Sequence, residues 1–546
     1  MKVKRLAKLL VIVVTIALLI TILAGCSTSM EDPSVSTGAD DSKDQEVNGG
    51  KNVATFVLDS DPSNINYHAG SGSTPENHII SATNDRLTLY NDETGEYEPM
   101  LLESWEHNED CTEWTMHLRK GVKWHDGVEF TAHDVAFTFE YMHDPNIDGR
   151  QTTYYGDPNE TIEVVDDYTY KIITDYPNPS APLARWTTVI PKHIWEKVDP
   201  SNFSKAKEGY LTVGLGPYKM VEYKVGEYIK FEAFDAYYGG KPKIDTIYYR
   251  IIGDKTAQIA ALQSGQVDCL TIDATAAEEI LENPNISIWQ GNSGNITHLY
   301  MNNKREPFDD INVRKAITHL VNKESLVEQA MRGFAKPADS CFAPGDFYYN
   351  PDVVIKYEFS IEKAIELLEE SGYTMGSDGV MEKNGHKLEF EVIVNTAETE
   401  TAVLIMAQDF IKAGIKIQPK NVERSLLLSM WDTHDFDMLI SAMTMGPDPI
   451  RYRQIYDYNY DINIMQYESE KMSKLFADAA SAIEENEKKE IYENIQRTKS
   501  EDAPSVELWY RDTIYAYNKD LVIDEAAPIG RAHFRFLKMH KLRFKD

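Results

Sequence analysis

The sequence predicts an α/β fold that is divided into more than one lobe. Segments with the pattern of strands alternate with segments with the pattern of helices along the chain, which is typical of α/β architectures. The chain has 546 residues, and roughly 490 of them follow a short N-terminal region, more than one hydrophobic core accommodates. We therefore expect two or three lobes.

The strand predictions rest on runs of β-branched and aromatic residues that are bounded by turn residues. Period-two alternation is clear from Trp114 onward, and a turn at His125-Asp126-Gly127 follows it. The predicted strands are residues 52–61, 114–124, 228–234, 244–252 and 387–395, with shorter extended segments at 298–303 and 506–510.

The helix predictions rest on one-sided apolar periodicity and on signals at the helix ends. Thr131 and Asp134 have the spacing of a capping box, which predicts a helix directly after them. Gly265 ends a helical segment that starts near Lys255. The remaining predicted helices are residues 361–370 and 398–413.

The N-terminus has the pattern of a signal peptide, residues 1–25. Four cations in residues 1–8 precede a largely apolar run that ends in Leu23-Ala24-Gly25-Cys26. The run is also just long enough for a transmembrane anchor. The cysteine after Leu-Ala-Gly, however, resembles the bacterial lipobox. By that resemblance Cys26 is the diacylated, palmitate-carrying first residue of the mature chain, which fixes the protein to a membrane without spanning it.

Residues 26–51 contain almost no large apolar side chain and are expected to form a disordered tether. The whole chain has a net charge of −33, which weighs against nucleic acid or anionic lipid as a partner. Beyond Cys26 the cysteines fit no zinc spacing and are expected to be small buried hydrophobes, although one disulfide among them is possible by number; they are Cys111, Cys269 and Cys341.

No catalytic or metal-binding motif stands out. The sequence has no Gly-x-Ser-x-Gly elbow and no His-Glu-x-x-His helix. Ser360 and Lys363 fit Ser-x-x-Lys, but Ser360 lies at a helix start, where serine is a common cap. His125 and His133 have no metal-ligand spacing. We expect a protein without a cofactor or a bound catalytic metal, and a secreted hydrolase remains the alternative class.

Four blocks in order resemble the bacterial extracellular solute-binding proteins of family 5, the peptide- and nickel-binding receptors of ABC importers. The first block has the pattern Leu-Arg-Lys-Gly-Val-Lys-Trp-His-Asp-Gly followed by Phe-Thr-Ala-x-Asp-Val. The blocks are residues 101–142, 214–252 with 260–268, 299–324 and 503–521. Together they cover most of the chain after the tether.

The resemblance implies a two-lobe, periplasmic-binding-protein-like fold of type II, with an extra subdomain in the first lobe. Lobe one is expected at residues 52–296 plus 506–546, with the subdomain at about 83–204. Lobe two is expected at residues 297–505. The two crossings between lobes are expected at residues 298–303 and 506–510, where ligand binding closes a hinge.

The resemblance also implies a ligand site around residues 438–456. Peptide-binding relatives often carry an acid for the peptide's ammonium where this chain has Met445, and a Trp where it has Ala442. Met443 and Met445 contact ligand or belong to the core, and Arg451 meets a carboxylate or balances an acidic surface. The implied ligand-binding residues are Ser73, Thr74, Trp186, Asn302, Phe347, Met443, Thr444, Met445, Asp448 and Arg451.

Burying a free ammonium at Met445 without an acid would cost about 3–5 kcal/mol. Either another acid replaces the missing one, or the peptide is held through its backbone with its amino end in solvent, or the cargo has no ammonium there. Asp448 is the nearest acid, but its place before Pro449 indicates a turn.

By this resemblance the protein is a monomeric receptor that captures an oligopeptide and delivers it to the permease and ATPase of an ABC importer. The expected location is the outer face of the cytoplasmic membrane, through the lipid anchor. An oligosaccharide, an opine-like compound or a nickel or other metal chelate is the alternative cargo, and a receptor that signals without transport is a further alternative.

Overall fold

A computed structural model describes residues 52–66, 74–91, 96–147, 159–179, 188–205, 213–444, 448–460, 463–523 and 538–545. All of them belong to one compact unit, Gly49–Asp546. No helix in these ranges combines the length and the apolar composition that crossing a bilayer requires.

The strands of the described residues are β1 (Val53–Leu58), β2 (Thr88–Asn91), β3 (Glu96–Pro99), β4 (Leu102–His107), β5 (Glu113–Leu118), β6 (Thr161–Asp166), β7 (Thr169–Ile173), β8 (Tyr218–Lys224), β9 (Tyr228–Ala233), β10 (Thr246–Ile251), β11 (Cys269–Thr271), β12 (Ile286–Met301), β13 (Ala335–Pro337), β14 (Thr374–Met375), β15 (Met381–Lys383), β16 (His386–Lys387), β17 (Glu389–Val394), β18 (Lys416–Asn421), β19 (Met438–Thr444), β20 (Ser505–Asn518), β21 (Leu521–Val522) and β22 (Arg543–Phe544).

The α-helices of the same residues are α1 (Thr74–Thr83), α2 (Ala132–Met142), α3 (Lys192–Trp195), α4 (Lys255–Gln263), α5 (Ala274–Ile280), α6 (Ile311–His319), α7 (Lys323–Gln329), α8 (Ile361–Glu370), α9 (Ala397–Phe410), α10 (Arg424–Thr433), α11 (Arg453–Tyr456), α12 (Glu470–Ser481) and α13 (Glu485–Asp502). Short 3₁₀ helices are Pro200–Lys205, Ile411–Ala413, Pro449–Tyr452 and Met539–Lys541.

Most local predictions agree with the structure because they depended on short-range signals, but the strand predicted at residues 114–124 is shorter, since β5 ends at Leu118. The Asp134 carboxylate accepts the Thr131 N–H at 2.9 Å and caps α2 as the capping box predicted. Gly265 follows α4 with φ +74°, a left-handed conformation that suits glycine. The helix predicted at residues 398–413 is α9 with one further 3₁₀ turn. The three described cysteines are buried, with free thiols.

One large sheet organises the chain. Its strand order in the described residues is β18-β17-β19-β12-β20-β11-β1-β10-β9-β8, and β13 pairs with β20 beside this path. The two longest strands, β12 and β20, pair antiparallel in the middle of the sheet. Their pairing shifts register between Asn292 and Asn295 and again between Thr297 and His298, which marks two irregularities of the β-bulge type.

The buried side chains form separate cores toward the two ends of this sheet. One side contains a core with Phe56, Phe231 and Tyr249. The other side contains cores with Ile317 and Phe410, and with Tyr452 and Tyr456, on opposite faces of the sheet. A four-stranded sheet in the order β4-β5-β7-β6 has a further core around Trp114 and Trp124.

The long strands contribute to the cores of both sides, but not along their whole length. The described residues 291–295 of β12 and 511–513 of β20 belong to none of these cores. In contrast, Leu299 and Met301 are fully buried, and Val506 and Leu508 pack in the same core. The segments that the sequence predicted as crossings therefore pack in the two cores of one side, since Tyr300 and Tyr510 belong to the core on the opposite face of the sheet.

Candidate ligand-binding site

The C-terminal end of β19 has an edge that no strand of the described residues covers. On one side β19 pairs with β12 along its whole length, ending where Thr444 lies opposite Asn295. On the other side it pairs with β17 only at Met438 and Leu439. The backbone groups of residues 441–444 on that side are therefore in position to pair with an extended ligand.

Polar side chains form a row across the sheet at the level of Thr444. Asn295 of β12 lies opposite Thr444 on one side and opposite Arg511 of β20 on the other. Directly paired residues of antiparallel strands project from the same face of a sheet, so these three side chains share a face. Asn295 Nδ2 donates to Thr444 Oγ1 at 3.0 Å. Arg511 Nη2 donates to Glu398 Oε1 at 3.5 Å, which adds a carboxylate from the first turn of α9.

We call Thr444, Asn295, Arg511 and Glu398 the polar row. Its charged side chains are partly accessible, with 33% of Arg511 and 23% of Glu398 exposed. Asn295 Oδ1 is buried and has no hydrogen-bond partner in the described part of the chain. An unpaired buried acceptor costs about 1–3 kcal/mol, so a donor from a ligand or from water is favourable here.

Asp448 has a structural role after β19. Its carboxylate accepts the Ile450 N–H at 3.0 Å and caps the 3₁₀ helix Pro449–Tyr452. Only 4% of Asp448 is exposed. These contacts agree with the turn that its position before Pro449 predicted.

Phe347 lies at a contact between distant parts of the chain. Its ring centroid is 6.3 Å from that of Tyr97 in β3. The neighbouring Asp346 accepts the Tyr452 hydroxyl at 3.0 Å, which holds the Phe347 loop against the 3₁₀ helix that Asp448 caps. The two segments that the sequence singled out, around Phe347 and around Asp448, are therefore brought together.

The charge of Arg451 acts on a second guanidinium, that of Arg86. Burial lowers the pKa of Arg86 to about 10, and the charge of Arg451 contributes in the same direction. The adjacent Asp85 accepts the hydroxyls of Tyr237 and Tyr238 at 2.6 Å each, and burial raises the pKa of Asp85 to about 6. The charges of Arg86 and Arg451 thus repel each other in the folded protein. No sequence pattern indicated Arg86, because its interaction with Arg451 exists only in the folded chain.

Two other predicted residues lie in the core. Met443 is partly buried and packs against the core that contains Leu439. Asn302 is 1% exposed, and its amide donates to the backbone carbonyls of His434 at 3.0 Å and Phe436 at 3.4 Å. We therefore leave Asn302 out of the proposed site.

The remaining predicted site residues are Thr74, Ser73, Trp186 and Met445, together with the lipidation residue Cys26. Thr74 is the first residue of α1. Cys26, Ser73, Trp186 and Met445 lie outside the described residues.

The Ser-x-x-Lys motif is a helix cap. Ser360 Oγ accepts the Lys363 N–H at 3.1 Å and begins α8, while Lys363 Nζ donates to Glu366 at 2.7 Å. Both side chains are thus accounted for by the helix. Among the described residues, no group of three or more His, Cys, Asp or Glu side chains is placed to hold a metal ion.

Two α/β halves joined by paired long strands, with an uncovered strand edge beside polar side chains, are typical of a protein that binds a solute between two lobes. Comparison with known proteins identifies the family. The chain belongs to the bacterial extracellular solute-binding proteins, family 5, whose middle-region model matches residues 96–463. Members of this family are extracytoplasmic binding proteins of ABC importers and not enzymes.

The chain is similar to characterised members over most of its length. It is 28% identical over 538 residues to the oligopeptide-binding protein AppA of Bacillus subtilis, covering 95% of this chain and 96% of that protein. The ABC transporter substrate-binding protein CtaP of Listeria monocytogenes has a similar structure, with a TM-score of 0.81 and 25% identity over 90% of this chain and 99% of that one. The structure of Bacillus subtilis AppA in complex with a nonapeptide matches with a TM-score of 0.76 and 26% identity, over 90% and 99% of the two chains.

Proposed function

We propose that this chain is a lipid-anchored receptor that captures an oligopeptide between its two lobes and delivers it to the permease and ATPase of an ABC importer. The observation that carries the proposal is the uncovered edge of β19, because its backbone groups match those of a peptide in extended conformation. The similarity to an oligopeptide-binding protein supports the same cargo class.

The peptide adds as a strand beside residues 441–444. Main-chain hydrogen bonds give affinity for many sequences, and side-chain pockets add preference. Thr444 belongs to the polar row at one end of this edge, and Met443 borders the core behind it. The Arg86 and Arg451 guanidiniums supply a place for an anionic group of the cargo, such as its carboxyl end.

The lobes close by bending where the long strands leave both cores. We place the crossings at residues 291–295 and 511–513, because the first register shift in β12 interrupts the ladder there and these residues belong to no hydrophobic core. Lobe two then runs from about residue 296 to about residue 510, and lobe one comprises the rest of the folded chain. The Tyr97–Phe347 contact joins the two lobes defined in this way.

The anchor is Cys26, with residues 26–51 as the tether. The support is the apolar run ending in Leu23-Ala24-Gly25-Cys26. The protein then stays on the outer face of the cytoplasmic membrane, within reach of its permease.

A non-peptide cargo is the second candidate, because the two guanidiniums also suit a carboxylate-rich chelate or an opine-like compound. Such a cargo would not pair with the uncovered edge of β19. Native mass spectrometry of the protein purified from its own cells identifies the cargo class, and we expect peptides.

Calorimetry then tests the strand-like binding. Two derivatives of one bound peptide carry N-methyl groups on alternate backbone amides, one set in each. Because successive N–H groups of a strand point in opposite directions, the set that faces β19 should weaken binding by about tenfold or more, equivalent to about 1.4 kcal/mol, and the other set should have little effect. Equal effects of both sets would contradict pairing with β19.

A further inference from the structure

We infer that the ion pair between Glu278 and Arg332 stabilises the closed arrangement of the two lobes and thereby sets how tightly the cargo is held. Arg332 Nη1 lies 2.5 Å from Glu278 Oε2. The inference rests on the proposed function, because it concerns the closure of the lobes on a cargo. It adds the side chains that connect the lobes beside the crossing at residues 511–513.

The two residues of the pair belong to different lobes. Glu278 lies in α5, and this helix shares a hydrophobic core with Ala516 of β20. Arg332 directly follows residues that share a core with Trp509 of the same strand. Ala516 lies on the lobe-one side of the crossing at residues 511–513, and Trp509 lies on the lobe-two side. The ion pair therefore connects the two lobes.

The pair also lies beside a break in the backbone pairing of β20. β13, which begins three residues after Arg332, pairs with β20 as far as Arg511. β11, which leads into α5, pairs with β20 from Tyr515 onward. Because β12 occupies the other edge of β20, both short strands lie on one edge, with the crossing between them. The interaction between Glu278 and Arg332 spans this break.

The space next to the pair is open. A groove of about 660 Å³ is lined by Glu278, by Arg332 and by residues from α7 to Pro337. Of the two paired side chains, 58% of Glu278 and 45% of Arg332 are exposed, so water reaches both. Separation of the lobes can therefore break the ion pair without opening a hydrophobic core.

The pair is formed in an arrangement in which the lobes also touch elsewhere. The rings of Tyr97 in lobe one and Phe347 in lobe two have centroids 6.3 Å apart. Arg332 has φ +48°, a left-handed conformation that non-glycine residues keep where surrounding contacts fix them. A contact that exists only while the lobes are together favours the closed form by its own free energy.

The size of the effect follows from the exposure of the pair. Exposed ion pairs contribute little, because water screens the charges and two long side chains have to be ordered. Loss of the pair should therefore shift the closing equilibrium about two- to fivefold, and the apparent affinity for the cargo by the same factor.

Calorimetry on one bound peptide tests the inference with wild type, Glu278→Gln, Arg332→Gln and the exchanged variant Glu278→Arg with Arg332→Glu. Glu468→Gln is the matched control, because Glu468 pairs with Lys304 at the same 2.5 Å and with the same 58% exposure, but within lobe two alone. We expect binding about two- to fivefold weaker in both single variants, recovery in the exchanged variant and no change in the control.

Salt supplies a second comparison. At about 1 M salt, where charges are screened beyond about 3 Å, wild type and Glu278→Gln should bind the peptide equally. Equal affinity of these two proteins at low salt, or tighter binding by Glu278→Gln, overturns the inference. Urea unfolding of each variant confirms that it is folded.

Hydrogen exchange of the unliganded protein tests the same inference without any cargo. Opening of the lobes bends residues 511–513, so their backbone amides should exchange about two- to fivefold faster in Glu278→Gln than in wild type, and Glu468→Gln should leave them unchanged. Unchanged exchange in Glu278→Gln overturns the role of the pair and leaves peptide capture standing. Faster exchange together with failure of every peptide tested supports the pair as a connection between the lobes and overturns the proposed function instead.

Discussion

Replacing Glu507 by glutamine is expected to destabilise the half of the fold that contains β17 to β19, because Glu507 is the counter-charge of a buried lysine. Glu507 pairs with Lys499, and the two residues are 6% and 3% exposed. Burial alone would raise the pKa of the Glu507 carboxyl, but Lys499, His298 and Lys323 outweigh it and hold that pKa well below its ordinary value.

The expected loss in the free energy of unfolding follows from the lysine charge that the substitution leaves unpaired. Removing one partner of a buried ion pair typically costs about 3–5 kcal/mol, because the other charge stays desolvated. Lys499 and Glu507 border a cavity of about 240 Å³, in which water can reach the ammonium. We therefore expect the lower end of that range, about 3 kcal/mol.

Urea unfolding of wild type, Glu507→Gln and the control Glu501→Gln measures the effect. Glu501 pairs with Lys471 at 3.1 Å, but 41% of Glu501 and 61% of Lys471 are exposed, so the control should lose less than about 1 kcal/mol. The double variant Glu507→Leu with Lys499→Met should recover part of the loss, since it removes the unpaired Lys499 charge, although Lys323 also loses the Glu507 carboxylate. Equal losses in Glu507→Gln and Glu501→Gln would refute the reasoning.

The same pair predicts a pH dependence. A carboxyl whose folded pKa is depressed contributes stability above its ordinary pKa of 4.5, and this contribution is lost as the pH falls toward the folded pKa. Wild type should therefore lose stability below about pH 4.5 more steeply than Glu507→Gln. Parallel curves for the two proteins would contradict the depressed pKa.

Other predictions concern the Cys26 anchor, the Arg86 and Arg451 guanidiniums, and the packing of the segment before Arg86. Cys26→Ala should abolish labelling with radioactive palmitate and release the protein from membranes, and unchanged labelling would contradict the lipobox. Arg451→Gln and Arg86→Gln should each weaken a peptide with a free carboxyl end about tenfold but its amide much less, as calorimetry measures; equal weakening of both peptides would exclude a carboxylate contact. Gly216→Ala should lower the free energy of unfolding by about 1–3 kcal/mol, because a Cβ there would collide with the backbone of Asn84. An unfolding free energy equal to that of wild type would show that the segment before Arg86 adapts.

The sequence predicted what short-range chemistry determines. The Thr131–Asp134 cap, the end of α4 at Gly265 and the serine cap at Ser360 each depend on residues a few positions apart. The four blocks similar to family 5 gave the two-lobe fold, which the comparisons confirm.

The sequence did not predict features that depend on distant partners. Glu398 and Arg511 are 113 positions apart, and each alone is an ordinary charged residue. Arg86 and Arg451 likewise lie far apart in the sequence, and only the fold brings their charges into interaction. Asn302 was expected near the ligand. Its amide instead donates to backbone carbonyls of the loop that precedes β19, which only folding brings close to it. The position of the crossings between the lobes stays a prediction, because strand patterns do not show where one core ends and another begins.

Small-angle X-ray scattering with and without a saturating peptide tests the central claim, that the protein closes on an oligopeptide between its lobes. Calorimetry under the same conditions establishes that the peptide is bound. Bending at residues 291–295 and 511–513 predicts a smaller radius of gyration in the bound protein. A radius of gyration that stays the same while calorimetry shows binding would contradict closure between the lobes.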